Sequence, residues 1–250
     1  MRYFLKLAYD GTRFHGWQSQ PNANTVQAVI EGALSTLFRR EVGIIGAGRT
    51  DAGVHARQMY CHFDIDGEIF DPSSFLRSVN KLIGPSVAIY DLIPVSPNAH
   101  ARFDAIERAY KYYITLSKDP FDRNFSHFLY RMPDVDKMNE AGKILCDNDD
   151  FTSFAKLHSD SKTNICDVRK AEWTYTPPTQ KLVFKIVADR FLRNMVRAVV
   201  GTLLEVGLGK LTIDGFKKII DSRDRSAAGV SMPAKGLFLE RIEYPQDIFI

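Results

Sequence analysis

The stretch "GRTDAGVHARQMYCHF", residues 48–63, joins a glycine-bounded turn to a run in which apolar and polar residues alternate. Alternation of this kind is typical of a half-buried β-strand, and the turn places Asp51 two positions after Arg49 at its entrance. A carboxylate at such a point caps the turn, shapes a phosphate-binding loop or takes part in chemistry. The apolar positions of the predicted strand are Met59, Cys61, Phe63 and Ile65.

The glycine pattern of this turn does not match either common phosphate-binding loop. A dinucleotide-binding fingerprint requires a third glycine after Gly46-x-Gly48, but Asp51 stands in its place. A P-loop requires lysine and then serine or threonine after its second glycine, whereas Gly53 is followed by Val54. Asp51 would also repel a phosphate, so both phosphate-loop hypotheses are rejected.

Two interpretations of Asp51 stay open when the turn is considered alone. Aspartate in a glycine-containing turn usually caps the backbone, which is the more frequent meaning of the pattern. If the chain is extended here, Arg49 shares a face with Asp51, and a neighbouring guanidinium suits a carboxylate that acts as a nucleophile or a base. A surface ion pair would give the same pattern. A metal site is not predicted, because His55, Cys61 and His62 match no known ligand spacing.

Composition sets wider bounds on the class of protein. The 250 residues are 45% hydrophobic, carry a net charge of +3 and include three cysteines without CxxC spacing. Such a chain can bury an ordinary core, and its charge permits a nucleic-acid partner without requiring one. No stretch is long and apolar enough to span a membrane, and no apolar leader opens the chain. We therefore expect a cytoplasmic protein with reduced thiols and no membrane association.

Both halves of the chain mix helical and strand patterns, which favours an α+β fold with antiparallel sheet. Thr25 is expected to cap a helix that runs to about Arg40, and Asp71-Pro72 to begin another. Patterning lapses in "SPNAHARFDAIE", which predicts two halves, residues 1–103 and 104–250. In the second half, helices are predicted at 134–147, 189–206 and 212–222, and strands near 168–176, 181–188 and 236–244.

Two features of the second half are candidates for contact with RNA. On the strand "ERAYKYYITL", Arg108, Tyr110 and Tyr112 would share a face, as a base-stacking surface requires, although half-buried sheet tyrosines are more common. In the predicted helix 189–206, three arginines would share one face. They suit phosphates or a solvated surface equally well. These are Arg190, Arg193 and Arg197. The residues alone therefore allow an enzyme acting on RNA or a non-catalytic RNA-binding module.

Five motifs resemble the tRNA pseudouridine synthase A family in its bacterial form, in family order and over nearly the whole chain. They are "YDGTRFHGWQSQPNANTVQ", "GAGRTDAGVHARQMYCHF", "ARFDAIERAYKYY", "FLRNMVRAVVGTLLEVG" and "PAKGLFLERIEYP". The resemblance implies a homodimer that binds tRNA across both subunits and isomerises uridines 38 to 40 of the anticodon stem-loop. It implies neither a metal nor a cofactor. It also implies a central antiparallel sheet built from two related α+β halves, flanked by helices, with the active cleft between the halves.

The resemblance also assigns roles to individual residues. Asp51 matches the essential aspartate, and Arg49 the arginine that pairs with it and fills the gap left by the flipped base. Tyr110 matches a tyrosine that packs near the target base, and Leu237 an apolar residue of the same pocket. The chain departs from the family pattern at Ala109, where arginine is usual, and at Ser231-Met232, where Thr-Ala is common.

Overall fold

The computed structural model describes residues 1–156 and 162–250. Contacts divide the chain into two compact units. The first unit comprises Met1–Ile106 together with Leu239–Ile250, and the second comprises Glu107–Phe238. Each unit packs helices against a sheet whose main strands are antiparallel, which confirms the α+β class. In the described part of the chain, no helix combines the length and the apolar character needed to cross a membrane.

The first unit is built around its amino-terminal strand. That strand pairs antiparallel with two neighbours, so Arg2 lies opposite both Asp64 and Val95, and Tyr9 lies opposite Ala56. Its apolar side chains are buried because helices cover the sheet. The elements of this unit are β1 (Arg2–Tyr9), α1 (Val26–Phe38), β2 (Ile45–Gly46), β3 (His55–Asp64), α2 (Pro72–Leu82) and β4 (Val87–Val95).

Both helices of the first unit begin at the caps that the sequence predicts. The Thr25 hydroxyl accepts a hydrogen bond from the Ala28 N–H at 3.3 Å, and the Asp71 carboxylate accepts one from the Ser74 N–H at 2.9 Å. These bonds satisfy backbone donors that have no partner within the helix. The helix α1 ends at Phe38, two residues before the predicted end, because Arg39 adopts a left-handed conformation with φ of 53°.

The carboxyl-terminal segment Leu239–Ile250 has its contacts in the first unit, although the sequence analysis placed it in the second half. The Ser96 N–H donates to the Ile248 carbonyl at 2.9 Å, and the Tyr244 hydroxyl donates to the Ala101 carbonyl at 2.6 Å. These bonds are long-range, so no local pattern in the sequence could indicate them. They also order the segment in which helix and strand patterning lapses.

His62 carries a pH dependence that can be measured. Its Nδ1 accepts a hydrogen bond from the Ala101 N–H at 3.1 Å, and burial, with Arg2 nearby, lowers its pKa to about 4. The unfolded chain binds this proton more readily than the folded one. The free energy of unfolding is therefore expected to fall, by up to about 3 kcal/mol, as the pH drops from about 6.5 to about 4.

Urea unfolding of the intact protein and of His62→Asn, at about pH 4.5 and about pH 7, checks this expectation. Asparagine places an acceptor oxygen near the position of Nδ1 but has no titrating group. The difference in stability between the two pH values should be smaller in the variant. Equal differences in the two proteins would show that His62 is not the group responsible.

The second unit has a sheet with the order β5–β8–β7, in which both pairs are antiparallel, and a short strand that joins the edge of β5 in parallel. The strands predicted near 168–176, 181–188 and 236–244 are all confirmed. The elements are β5 (Glu107–Thr115), β6 (His127–Phe128), α3 (Val135–Cys146), β7 (Val168–Thr176), β8 (Lys181–Ala188), α4 (Met195–Gly207), α5 (Ile213–Ser222) and the start of β9 (Leu237–Glu243).

The helix predicted at 189–206 is shorter than expected, and its arginines are arranged differently. The helix α4 begins at Met195, because Asn194 takes a left-handed conformation with φ of 67°. Arg190 and Arg193 therefore precede the helix, and only Arg197 lies on it. The prediction of three arginines along one helical face is wrong. Most residues of α4 are buried, so this helix forms the core of the second unit.

Candidate active site

Asp51 lies in the irregular segment between β2 and β3, in a turn that closes on its own backbone. The Val54 N–H donates to the Asp51 carbonyl at 3.2 Å, and Gly53 has a φ of 79°, which favours glycine. The Gly53 N–H also donates to the Phe14 carbonyl at 3.3 Å. Asp51 is half-buried and Arg49 is exposed. The turn therefore holds a partly accessible carboxylate on a backbone that is fixed by hydrogen bonds.

The residue before the aspartate is tied to the first motif of the chain. The Tyr9 hydroxyl and the Thr50 hydroxyl share a hydrogen bond of 2.8 Å, and the Trp17 N–H donates to the Thr50 carbonyl at 3.2 Å. Gly16, with a φ of 93°, leaves the room that this approach needs, since a Cβ there would lie 2.5 Å from the Thr50 oxygen. The backbone on the amino-terminal side of Asp51 is thus held from two directions.

The other side of the turn is held by His55, the first residue of β3, whose side chain is only 1% exposed. Its Nδ1 accepts a hydrogen bond from the Gly11 N–H at 3.0 Å. The Asp10 carboxylate caps the Thr12 N–H and lies 3.2 Å from the same ring nitrogen. Polar and close-packed contacts therefore fix the turn at both ends.

Sequence reasoning about the turn alone did not assign these supporting residues. Their signal is present in the motif "YDGTRFHGW", where two glycines stand in a polar loop beside a histidine and a tryptophan. Without the fold, nothing in the motif shows that it contacts a segment about forty residues further along the chain. The residues concerned are Tyr9, Gly11, Gly16, Trp17 and His55.

The resemblance implies that Arg49 pairs with Asp51, and this pairing stays a prediction. The chain turns at residues 51–54 instead of continuing as a strand, so residues two apart do not have to share a face. The role of Arg49 beside a bound base stays a prediction.

In the second unit, Tyr110 and Arg108 both contact the loop that precedes α4. The half-buried Tyr110 ring meets the Phe191 ring edge-on, with 5.0 Å between centroids. The Arg108 guanidinium donates to the Asp189 carbonyl at 2.7 Å. Arg190 lies in the same loop, between these two contact points. The structure thus brings together three of the predicted residues, Tyr110, Arg108 and Arg190, around one loop.

Tyr112 is a core residue and not part of an exposed aromatic face. It is completely buried, and its hydroxyl donates to the Pro233 carbonyl at 2.8 Å. Burial also raises the pKa of this phenol. Gly236 packs against its ring, since a Cβ there would lie 2.7 Å from the ring carbon that bears the hydroxyl. The next residue, the buried Leu237, is therefore positioned by the core of the second unit.

Ser231-Met232, which departs from the family pattern, is hydrogen-bonded to α4 and to side chains outside it. The Arg197 Nε donates to the Met232 carbonyl at 2.6 Å, and the Met232 N–H donates back to the Arg197 carbonyl at 3.1 Å. The Ser231 hydroxyl accepts from the Asn194 amide at 2.5 Å and from Arg225 at 2.9 Å. The Ser231 hydroxyl is thus the acceptor for two side chains, and threonine would supply the same acceptor.

Across residues 1–156 and 162–250, no group of three or more histidine, cysteine, aspartate or glutamate side chains is placed to hold a metal ion. The three cysteines are free thiols, and burial raises the pKa of Cys61, Cys146 and Cys166. A raised pKa disfavours the thiolate, the form in which cysteine binds metals or attacks electrophiles.

Comparison with known proteins gives the family. The sequence profile of the tRNA pseudouridine synthase family matches residues 7–104 and 143–245. A protein of Bacteroides thetaiotaomicron named tRNA pseudouridine synthase A is 54% identical over 249 residues, covering 99% of this chain and 92% of the relative. Proteins of the same name from Porphyromonas gingivalis and Bacillus subtilis are 52% and 35% identical, and each covers at least 98% of both chains.

The chain belongs to the tRNA pseudouridine synthase family. Pseudouridine synthases are isomerases, so the protein is an enzyme of that class. The family match includes the Asp51 turn, the motif "YDGTRFHGW" and the loop that carries Arg190, whereas Arg108 and Tyr110 lie between its two matched ranges.

Proposed function

We propose that this enzyme converts uridine to pseudouridine at positions 38 to 40 of the tRNA anticodon stem-loop, with Asp51 as the essential carboxylate. The names of the relatives support the tRNA substrate, and the family resemblance supports the positions. The observation that carries the proposal is the Asp51 turn. Buried and close-packed groups on both sides fix its backbone, whereas the aspartate side chain stays partly accessible.

The reaction balances without an oxidant, a reductant or water. The N1–C1′ glycosidic bond breaks, the uracil rotates, and C5 bonds to C1′. The hydrogen on C5 leaves as a proton, and N1 gains a proton. A carboxylate can serve by adding to the base, by adding to C1′ or by removing the C2′ proton. All three routes require the uridine to leave the helical stack and enter a pocket that excludes water.

The remaining site residues are proposed to bind the substrate. Arg49, exposed at the turn, fills the space that the flipped base leaves and orients Asp51 when RNA is bound. Tyr110 and Leu237 line the base pocket, and Tyr110 assists the late proton transfer. The side chains proposed to contact phosphates are Arg108, Arg190, Arg193 and Arg197.

The proposed setting is cytoplasmic, with tRNA bound across the two subunits of a homodimer. No cofactor is proposed, because the bond changes need neither electron transfer nor hydrolysis. A net charge of +3 is compatible with a polyanionic substrate, and electrostatic attraction to phosphates supplies much of the affinity in such complexes.

Tritium release tests the proposed activity directly. Transcripts carrying tritium at uracil C5 lose the label only when C5 bonds to the sugar, so release reports the isomerisation itself. Transcripts with uridine replaced by cytidine at position 38, 39 or 40 then locate the site. We expect release from intact transcripts and loss of release when the target position is replaced. Tight binding without release, across a full tRNA pool, would instead indicate a non-catalytic RNA-binding module.

Arg193→Ala is expected to weaken tRNA binding and to make that binding less dependent on salt. Arg193 is exposed beside the start of α4. Each phosphate contact that is lost should lower the slope of log affinity against log salt by about 0.7 to 0.9. The dissociation constant measured at several salt concentrations gives that slope.

Arg40→Ala is the matched control for this arginine. Arg40 is also exposed, but its guanidinium lies 3.6 Å from the Asp66 carboxylate, in a part of the chain with several acidic residues. The salt dependence of the control should match that of the intact protein. An unchanged slope in Arg193→Ala would show that Arg193 has a structural role.

A further inference from the structure

Residues 117–132, here called the aromatic loop, follow β5 in the second unit and expose large aromatic side chains. Phe121 is 89% exposed and Tyr130 is 92% exposed. Tyr130 meets the Phe128 ring edge-on, with 4.5 Å between centroids, and Phe125 packs 6.4 Å from Phe238. These two rings, almost fully exposed on one loop, leave an apolar surface that packing within the unit does not bury.

The backbone of the aromatic loop is held in place by hydrogen bonds. The Leu129 N–H donates to the Thr115 carbonyl at 2.9 Å, and the Ser126 N–H donates to the Asp122 carbonyl at 3.1 Å. Asp122 also pairs with Lys181 at 3.0 Å. The exposed rings therefore stand on a fixed support, which lowers the entropic cost of binding a partner.

The charges around these rings favour an anionic partner. The cations Lys118, Arg123 and Arg131 are all exposed on the aromatic loop. Its two acidic side chains make local contacts, since Asp119 accepts a hydrogen bond from the Phe121 N–H at 2.8 Å and Asp122 pairs with Lys181.

Phe70 in the first unit gives a useful contrast. It is 90% exposed, as open as Phe121, but its neighbours in the chain are Asp66, Glu68 and Asp71. Phosphates would be repelled from Phe70 and attracted to the aromatic loop. The two sites thus share an aromatic face of similar exposure and differ in net formal charge: three cations and two carboxylates give +1 for residues 117–132, whereas three carboxylates give −3 for residues 66–71.

One hydrogen bond links the aromatic loop to the segment that holds Leu237. The Lys235 Nζ donates to the Arg123 carbonyl at 2.8 Å, and Lys235 belongs to the turn directly before Leu237. The loop consequently lies next to the residue proposed to line the base pocket. A nucleic acid whose target base approaches Leu237 would have its neighbouring nucleotides within reach of this surface.

We propose that the aromatic loop binds unpaired nucleotides of the RNA substrate, with bases stacked on Phe121 and Tyr130 and phosphates held by its three cations. The inference rests on the proposed function for the identity of the RNA. A second copy of the chain is a weaker candidate for this surface. A two-fold interface places a patch against itself, so the cations of the two copies would repel each other.

Binding of a fluorescently labelled tRNA transcript, followed by anisotropy, tests this inference. Because stacking on an aromatic side chain contributes substantially for each base, Phe121→Ala and Tyr130→Ala should each raise the dissociation constant by about 5- to 100-fold. Tyr130→Phe should retain the affinity, because the ring face remains. Phe70→Ala, the matched control, should bind like the intact protein.

Salt dependence separates stacking from phosphate contact in the same assay. Phe121→Ala should weaken binding with an unchanged salt slope, whereas Arg131→Ala should lower the slope by about 0.7 to 0.9. Both rings are exposed, so the melting temperatures of the variants should match that of the intact protein.

Three results would overturn the inference. The first is a dissociation constant that changes less than about twofold in the Phe121→Ala, Tyr130→Ala double variant. The second is an equal loss in Tyr130→Phe and Tyr130→Ala. The third is a lower molecular mass, measured by sedimentation, for the double variant than for the intact protein, which would show that this surface contacts a second copy of the chain. Failure of the proposed catalysis is distinguishable, because it removes tritium release from the intact protein while binding still depends on Phe121 and Tyr130.

Discussion

Replacing Asp51 with alanine is expected to lower the rate of tritium release by at least about 10³-fold while tRNA binding changes little. Alanine can neither add to the substrate nor accept its proton. The turn itself should survive, because it is held through the Thr50 and Val54 backbones and not only through the aspartate side chain. The comparison uses single-turnover release with enzyme in excess, together with the dissociation constant of the unlabelled transcript.

Asp51→Asn is the control that separates chemistry from turn capping. Asparagine keeps the size of the side chain and can cap a turn, but it has no carboxylate. If Asp51 acts in catalysis, Asn and Ala should be equally inactive. If Asp51 only caps the turn, Asn should remain active and Ala should lose about 1 kcal/mol of stability. Activity of Asp51→Asn within about tenfold of the intact enzyme would contradict the catalytic role.

The second large effect is expected at Gly11, which lies against the far side of the Asp51 turn. A Cβ on Gly11 would lie 2.0 Å from the Val54 carbonyl oxygen and 2.6 Å from its carbon, so backbone has to move. We expect Gly11→Ala to lower kcat/KM by about 10²-fold, because a displacement of about 1 Å is enough to disturb a catalytic group. The free energy of unfolding should fall by about 1–3 kcal/mol.

Gly32→Ala is the matched control for Gly11. Gly32 lies within α1, and a Cβ there would have no atom within 4 Å. Since alanine has the higher helix propensity, this variant should gain up to about 1 kcal/mol of stability and keep full activity. Urea unfolding and tritium release measure both quantities for both variants. A destabilised but fully active Gly11→Ala would show that the position of the turn does not limit the reaction.

Much of the fold could be predicted because its signals are local. Alternating residues identified the strands of both units, and the caps at Thr25 and Asp71 placed two helix starts, since capping involves residues only three apart. The start of α4 was missed, because the apolar periodicity continues upstream of Asn194. A left-handed residue there breaks the helix, and side-chain contacts with Ser231, distant in sequence, accompany it.

In the candidate site too, some features could be predicted from short motifs and others required the fold. The sequence singled out Asp51 through the turn "GRTDAG" and through the resemblance, and these observations need no fold. The fold was needed to show that Tyr9, Gly11 and His55 support the turn, because their contacts span more than forty residues of chain. It also showed that Tyr112 is buried in the core, which a single strand pattern cannot distinguish from an exposed ring.

By itself, the sequence determined the α+β class, most helices and strands, the family and the candidate carboxylate. These properties follow from side-chain periodicity and from short motifs, which depend on neighbours along the chain. Only the tertiary structure decided which residues hold the Asp51 turn, where the arginines stand and which aromatic rings stay exposed. Those features depend on contacts between distant segments, and burial is set by the packing of the whole unit.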